Sequence, residues 1–174
     1  MNLLHDIDPG TKEEMNVVIE INKGSHNKYE IDKKTGVIKL DRVMHSAQDY
    51  PFDYGFVPQT LWDDGDALDV VVLTTYPLAP GILVEARPIG IMHMVDGGEA
   101  DEKVIAVASG DPRYADVKDI TDANQHVLKE IAHFFATYKQ IQKKEVSIGA
   151  FEGRTEAEAA FERGQKLYTE SKSK

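Results

Sequence analysis

The segment "LWDDGDALDVVVLTT", residues 61–75, sets four carboxylates, Asp63, Asp64, Asp66 and Asp69, within seven residues, at the mouth of a β-branched apolar run. Two like charges 4 Å apart repel by roughly 1 kcal/mol even in water, so the crowding needs a reason. Three readings are open. A surface turn at Gly65 would leave the charges in solvent. A calcium loop of EF-hand type needs oxygen ligands at alternate positions and glycine at the sixth. Counted from Asp64, the fifth and sixth positions are Leu68 and Asp69, and the pattern fails. A hard-cation site would use Asp64, Asp66 and Asp69 together. Magnesium fits that description, because it keeps several waters and binds through carboxylates and substrate phosphates.

A second acidic group, "VDGGEADEK", carries Asp96, Glu99, Asp101 and Glu102, followed by Lys103. Alone it reads as a hairpin turn. Folded against the first group, it would bring enough carboxylates together for several ions. Two such ions about 3.5–4 Å apart can activate a water and neutralise a phosphoryl group in transfer.

Other charges interrupt apolar runs. Glu20 sits in "VVIEIN" and shares a strand face with Val18, where a carboxylate is costly unless paired or metal-bound. Lys28 and Glu30 are two apart and share a face of the next strand. Arg42 shares its expected face with Ile38 and Leu40, which aims the guanidinium inward beside a barrel wall. "DYPFDYGFVP" (49–58) supplies Tyr50 and Tyr54, whose hydroxyls can donate to phosphate oxygens. Phe52 and Phe56 read as core. Tyr138 and Lys139 close an amphipathic helix, where a lysine also answers the helix dipole. Each of these has a plain alternative in an edge-strand charge, aromatic packing or a helix-end cation.

The elements that must position these groups are mostly strands: 15–22, 28–32, 36–44, 67–75, 82–95, 102–109 and 145–151. "KKTG" reads as a hairpin turn between the second and third. Residues 122–141 put Val127, Leu128, Ile131, Phe134, Phe135, Tyr138 and Ile141 on one stripe at helical spacing. Thr121 or Asp122 is the expected N-cap. A second helix, 155–169, opens with Thr155 and Glu158 at capping-box spacing. Many short strands with two helices predict an α+β fold built on a small barrel. No repeat or linker divides the chain, so residues 1–174 read as a single domain.

Composition narrows the function. Twenty basic and thirty acidic side chains leave a net charge of -10, which opposes nucleic acid or an anionic membrane as partner and suits cations. There is no cysteine, so disulfides and thiolate metal sites are excluded. The first residues lack a signal-peptide pattern and no apolar run approaches a membrane span, so a cytoplasmic protein is expected. The six histidines form no H-E-x-x-H pattern; His126 and His133 are seven apart and share a helix face.

The blocks "VVIEI", "KYEIDKKTG", "LDRVM", "YPFDYGFVPQTL", "DGDALDVVVL", "YPLAPG", "RPIGIMHMVD", "DEKVIAV" and "IAHFFATYK" run in one order from about residue 15. In them the chain resembles the family I soluble inorganic pyrophosphatases, in their short prokaryotic form. The resemblance implies an OB-like five-stranded Greek-key β-barrel with two flanking α-helices and magnesium-dependent hydrolysis of pyrophosphate to two phosphates. It implies that Asp64, Asp69 and Asp101 hold the tight metals and that Asp96, with Asp101, serves metal arriving with substrate. Asp66 would be the base that takes the proton of the attacking water. Lys28, Arg42, Tyr54, Lys103, Tyr138 and Lys139 would bind phosphate. Glu20 and Glu30 would be outer acidic residues and Tyr50 would stand behind the site. A homohexamer is implied, with His133 at a subunit contact.

Four departures from that pattern stand out. Ala67 replaces the usual Pro, Gly97 replaces a frequent Glu, and Asp53 replaces a frequent Asn, which would add charge near the site. The terminal strand "EVSIGAFEG" lacks the usual lysines and Trp. Two rival functions are a non-catalytic OB-type binding module, which would need a basic aromatic groove, and hydrolysis of another phosphoanhydride. No G-x-x-x-x-G-K-[ST] motif supports a nucleotide.

Overall fold

The computed structural model describes residues 1–173. In chain order the strands are β1 (Met15–Ile21), β2 (Asn27–Ile31), β3 (Ile38–Val43), β4 (Asp53–Phe56), β5 (Asp69–Leu73), β6 (Leu83–Asp96), β7 (Glu99–Ala100) and β8 (Lys103–Ala108). Helix α1 (Gln125–Thr137), strand β9 (Val146–Gly153) and helix α2 (Arg154–Lys172) follow.

Five strands pair in a ring. β1 pairs β4, β4 pairs β5, β5 pairs β8, β8 pairs β6, and β6 returns to β1. Only β5–β8 is parallel; a parallel neighbour needs a long crossover, and the β6–β7 excursion provides it. This is the OB-like α+β architecture, with no free edge left within the ring. β9 adds to β6, and β2–β3 form a separate two-stranded sheet.

Period-two alternation divides the apolar residues. Val71, Leu73, Ile105 and Val107 pack with Leu128, Ile131, Phe134 and Phe135 of α1. Val70, Val72, Val104 and Ala106 pack with Ala157, Ala160 and Phe161 of α2. Helix α1 packs chiefly on β9 and helix α2 chiefly on β6.

Several boundaries differ from the sequence reading. β4 is not among the strands expected above; it is only four residues long, and Gly55 lets it press on β1, since a Cβ there would lie 2.0 Å from the Val18 carbonyl oxygen. Helix α1 starts at Gln125, because Asn124 accepts from the His126 N–H (2.9 Å) and Ile120–Asp122 forms a separate 3-10 turn. It ends at Thr137, and Ile141 is 63 % exposed instead of completing the apolar stripe. The Thr155–Glu158 capping box does not form; Gly153 is the N-cap and Glu158 pairs with Arg154 at 2.6 Å. The face assigned to Arg42 is also corrected. Asp41 is an extra residue in β3, so Arg42 pairs Lys28 while Leu40 pairs Tyr29. A bulge of this kind reverses the alternation, and Arg42 leaves on the face away from Leu40. It also belongs to the β2–β3 sheet, outside the ring.

Candidate active site

The first acidic residues hang from a loop closed by its own backbone. Trp62 N–H donates to the Asp66 carbonyl (2.7 Å), Gly65 N–H to the Trp62 carbonyl (3.0 Å) and Asp66 N–H to Asp64 Oδ1 (3.0 Å). Gly65 has φ 84°, a left-handed turn that glycine adopts freely. Asp69 opens β5 in register with Lys103 of β8. Asp101 precedes β8 and is fixed by its N–H to the Met94 carbonyl (2.9 Å).

This geometry brings Asp64, Asp69 and Asp101 together, each offering an oxygen within 4.8 Å of the others. Lys103 lies between Asp69 (2.6 Å) and Asp101 and is almost fully buried. Burial works to lower its pKa, but the two carboxylates overcome that and hold it raised. Burial pushes the Asp101 carboxyl up to about 7, against the pull of Lys103 and aided by Asp69. Burial also raises Asp64. Three carboxyl groups share one ammonium that bonds only two of them. Hard oxygen donors in mutual reach, still under-neutralised, fit a divalent cation such as magnesium.

The cluster opens into a cavity of about 510 Å³, which the other sequence candidates also line, except Tyr50. Glu20 reaches it from β1, accepts from the Ile31 N–H (2.6 Å), and is pushed up to about 8 by burial and by Asp69. Lys28, from β2, touches Glu30 and lies 3.6 Å from Asp41, which also pairs with Arg42 at 2.7 Å. Burial, then Arg42, lowers the Lys28 pKa. Burial raises the Tyr54 and Tyr138 hydroxyls, so both remain protonated donors. Tyr50 is buried behind them, its ring 6.1 Å from Tyr54 and 4.7 Å from Phe134.

Two acidic residues stand apart from the tight trio. Asp96 lines the cavity but bonds Lys139 and accepts from the Tyr138 hydroxyl at 3.4 Å. Asp66 is 58 % exposed and faces Lys33 at 2.5 Å. Lys33 also donates to the Gly65 carbonyl (3.0 Å). Sequence reasoning missed Lys33 and Asp41. "KYEIDKKTG" gave the one available signal, a lysine at the turn that follows Lys28 and Glu30. Asp53 corrects an expectation. It is fully buried and accepts from Lys23 N–H (2.9 Å), the Thr74 hydroxyl (2.5 Å) and Leu78 N–H (3.1 Å). Its charge is used there and does not line the cavity.

The family model described as inorganic pyrophosphatase matches residues 17–169. The chain belongs to the inorganic pyrophosphatase family. An inorganic pyrophosphatase of Nostoc sp. is 48% identical over 154 residues, 88% of this chain and 91% of the relative. One from Halalkalibacterium halodurans is 51% identical over 142 residues, 82% of this chain and 85% of the relative. Among solved structures, inorganic pyrophosphatase from Thermus thermophilus superposes with TM-score 0.93 at 44% identity, covering 97% of this chain and 99% of that one. For the pyrophosphatase frame, the loop that carries Asp64 and Asp66 is notable in this chain for Ala67, whose side chain packs with Leu4, Val18 and Phe56. Among the described residues no helix is long and apolar enough to cross a membrane.

Proposed function

We propose that this single-domain chain is a cytoplasmic enzyme that hydrolyses pyrophosphate to two phosphates with magnesium. The observation that carries the reading is the convergence of Asp64, Asp69 and Asp101 on one cavity with a ring of cationic and phenolic donors, in a member of the inorganic pyrophosphatase family. Asp64, Asp69 and Asp101 would hold magnesium, and Asp96 would join Asp101 for metal that enters with substrate. When bound, magnesium supplies positive charge and Lewis-acid polarisation to phosphate oxygens.

The chain's own residues do the rest. Lys28, Arg42 and Lys139 present positive charge to the phosphates, and Tyr54 and Tyr138 donate neutral hydroxyl bonds. Lys103, held by Asp69 and Asp101, adds a fixed ammonium. Glu20, buried in the cavity wall, and Glu30, exposed at its edge, add outer acidic groups, and Tyr50 backs Tyr54. Asp66 takes the proton of the attacking water. Its exposure leaves it open to that water. The bridging P–O bond breaks and the leaving phosphate departs against the cationic donors, which stabilise its developing charge.

Replacing Asp66 with Asn tests the base. Loss of a positioned base is expected to cost on the order of 10²–10⁴-fold in turnover, with an unchanged thermal midpoint. Phosphate release near the parent rate would remove Asp66 from that role.

A further inference from the structure

We infer that Trp62 and Glu102 are positioning residues that lock together the two chain segments bearing the metal-ligand carboxylates. The inference rests on the assignment of Asp64, Asp69 and Asp101 as ligands. Those three residues come from two segments, the loop after Trp62 with the β5 start that follows it, and the turn before β8. On the cavity side they meet as like charges; Lys103 bonds both segments, through Asp69 and Asp101, and the strands that follow pair from Asp69 and Lys103 onward.

The second link lies behind them. The Trp62 indole N–H donates to Glu102 Oε2 at 2.7 Å. Trp62 is two residues before Asp64, and Glu102 directly follows Asp101. The Trp62 backbone closes the acidic loop at both its N–H and its carbonyl, while its side chain reaches the other segment. Trp62 is 8% exposed, so a hydrogen bond to a carboxylate there is charge-assisted and poorly hydrated.

Both partners are themselves held. The Arg163 guanidinium lies 4.4 Å over the indole ring and bonds Asp63 at 2.6 Å. Helix α2 sits close enough for the Gly164 carbonyl to accept from Leu61 N–H at 3.0 Å. A Cβ at Gly164 would meet Thr60 Cβ at 3.2 Å, so glycine permits that approach. His93 lies between Glu102 (3.5 Å) and Glu152 (2.8 Å). Trp62 and Glu102 line a separate open cleft of about 280 Å³, not the cavity of the carboxylates. They act through ligand geometry and do not touch substrate. Outer partners that orient ligands typically matter 10–100-fold in metal affinity.

The test is magnesium binding by calorimetry to metal-free protein, with the emission of the sole tryptophan followed in the variants that keep it. Trp62→Phe and Glu102→Ala each remove the bond and are expected to weaken magnesium binding about tenfold. Glu102→Gln keeps an oxygen acceptor for the indole and is expected to stay within about twofold of the parent, with the parent's emission response. Parent-like affinity in both Trp62→Phe and Glu102→Ala overturns the inference. So does Glu102→Gln binding as weakly as Glu102→Ala, which would make charge and not the bond responsible. A melting transition in metal-free buffer confirms that each variant folds, and Glu102→Ala carries the test if Trp62→Phe does not. A parent that takes up no magnesium overturns the ligand assignment, and this inference with it. A parent that binds alongside unaffected variants overturns this inference alone.

Discussion

Glu20 shows how one residue can couple the site to stability. Its carboxyl is 5% exposed and its pKa is pushed up to about 8 by burial, from an ordinary value near 4.5. The native state therefore holds a proton that the unfolded chain releases. The stabilisation from that proton is complete below the unfolded pKa and is lost as pH rises through the folded one. Without metal, the protein is expected to lose stability between about pH 4.5 and 8, by roughly 5 kcal/mol at most, at ~1.4 kcal/mol per pKa unit. Glu20→Gln should flatten that loss, since an amide oxygen can still accept from Ile31. Thermal midpoints in chelator at several pH values would show it, and an unchanged slope in Glu20→Gln would assign the loss elsewhere.

At the same scale, the sequence was informative where chemistry forced an exception to patterning. Glu20, Lys28, Glu30 and Arg42 stood out as charges within strand segments, and all four line one cavity. Asp53 stood out as a charge where the family pattern has Asn, yet it is answered by two backbone N–H groups and a hydroxyl. A single chain cannot distinguish those two fates, because the partners Lys23, Thr74 and Leu78 meet Asp53 only after folding. The same holds for Arg42, whose face depends on one bulged residue in β3.

Among the elements, the acidic loop is the one most open to engineering. Ala67 has negative φ and its N–H makes no hydrogen bond within the described residues. Proline there removes no bond and restricts the unfolded chain. Ala67→Pro is expected to raise the stability of the metal-free protein by about 0.4–1 kcal/mol, or roughly 1–4 °C for a chain of this size. Thermal melts check this, and a lower midpoint would mean that the loop needs its present freedom. The loop is ordered by other means. Lys33 on the Gly65 carbonyl, Trp62 on the Asp66 carbonyl and the Thr60 hydroxyl on Leu68 N–H (2.9 Å) all restrain it. Long elements such as β6 were legible from their apolar runs. Short ones were not: β4 and β7 exist because neighbouring strands supply their partners, and four or two residues carry too little period to read.

For the whole molecule, the ring of five strands brings together groups that are far apart in sequence, from Glu20 on β1 to Lys139 just past α1. Its closure depends on β1 pairing both β4 and β6, a non-local fact that strand patterns alone cannot give. Assembly belongs to this scale as well. His126 and His133 are both exposed on α1, and we propose that this face joins copies into a hexamer. Light scattering at neutral pH is expected to give the mass of six 19.4 kDa chains. The mass of one chain would contradict that assembly.

The central claim is that a carboxylate cluster loaded with magnesium cleaves pyrophosphate. The most direct measurement is phosphate release from pyrophosphate by the purified protein with magnesium, repeated with excess chelator. Release that requires magnesium, stops with chelator and returns when magnesium is restored is the predicted result. No release with magnesium, or equal release with chelator present, would contradict it.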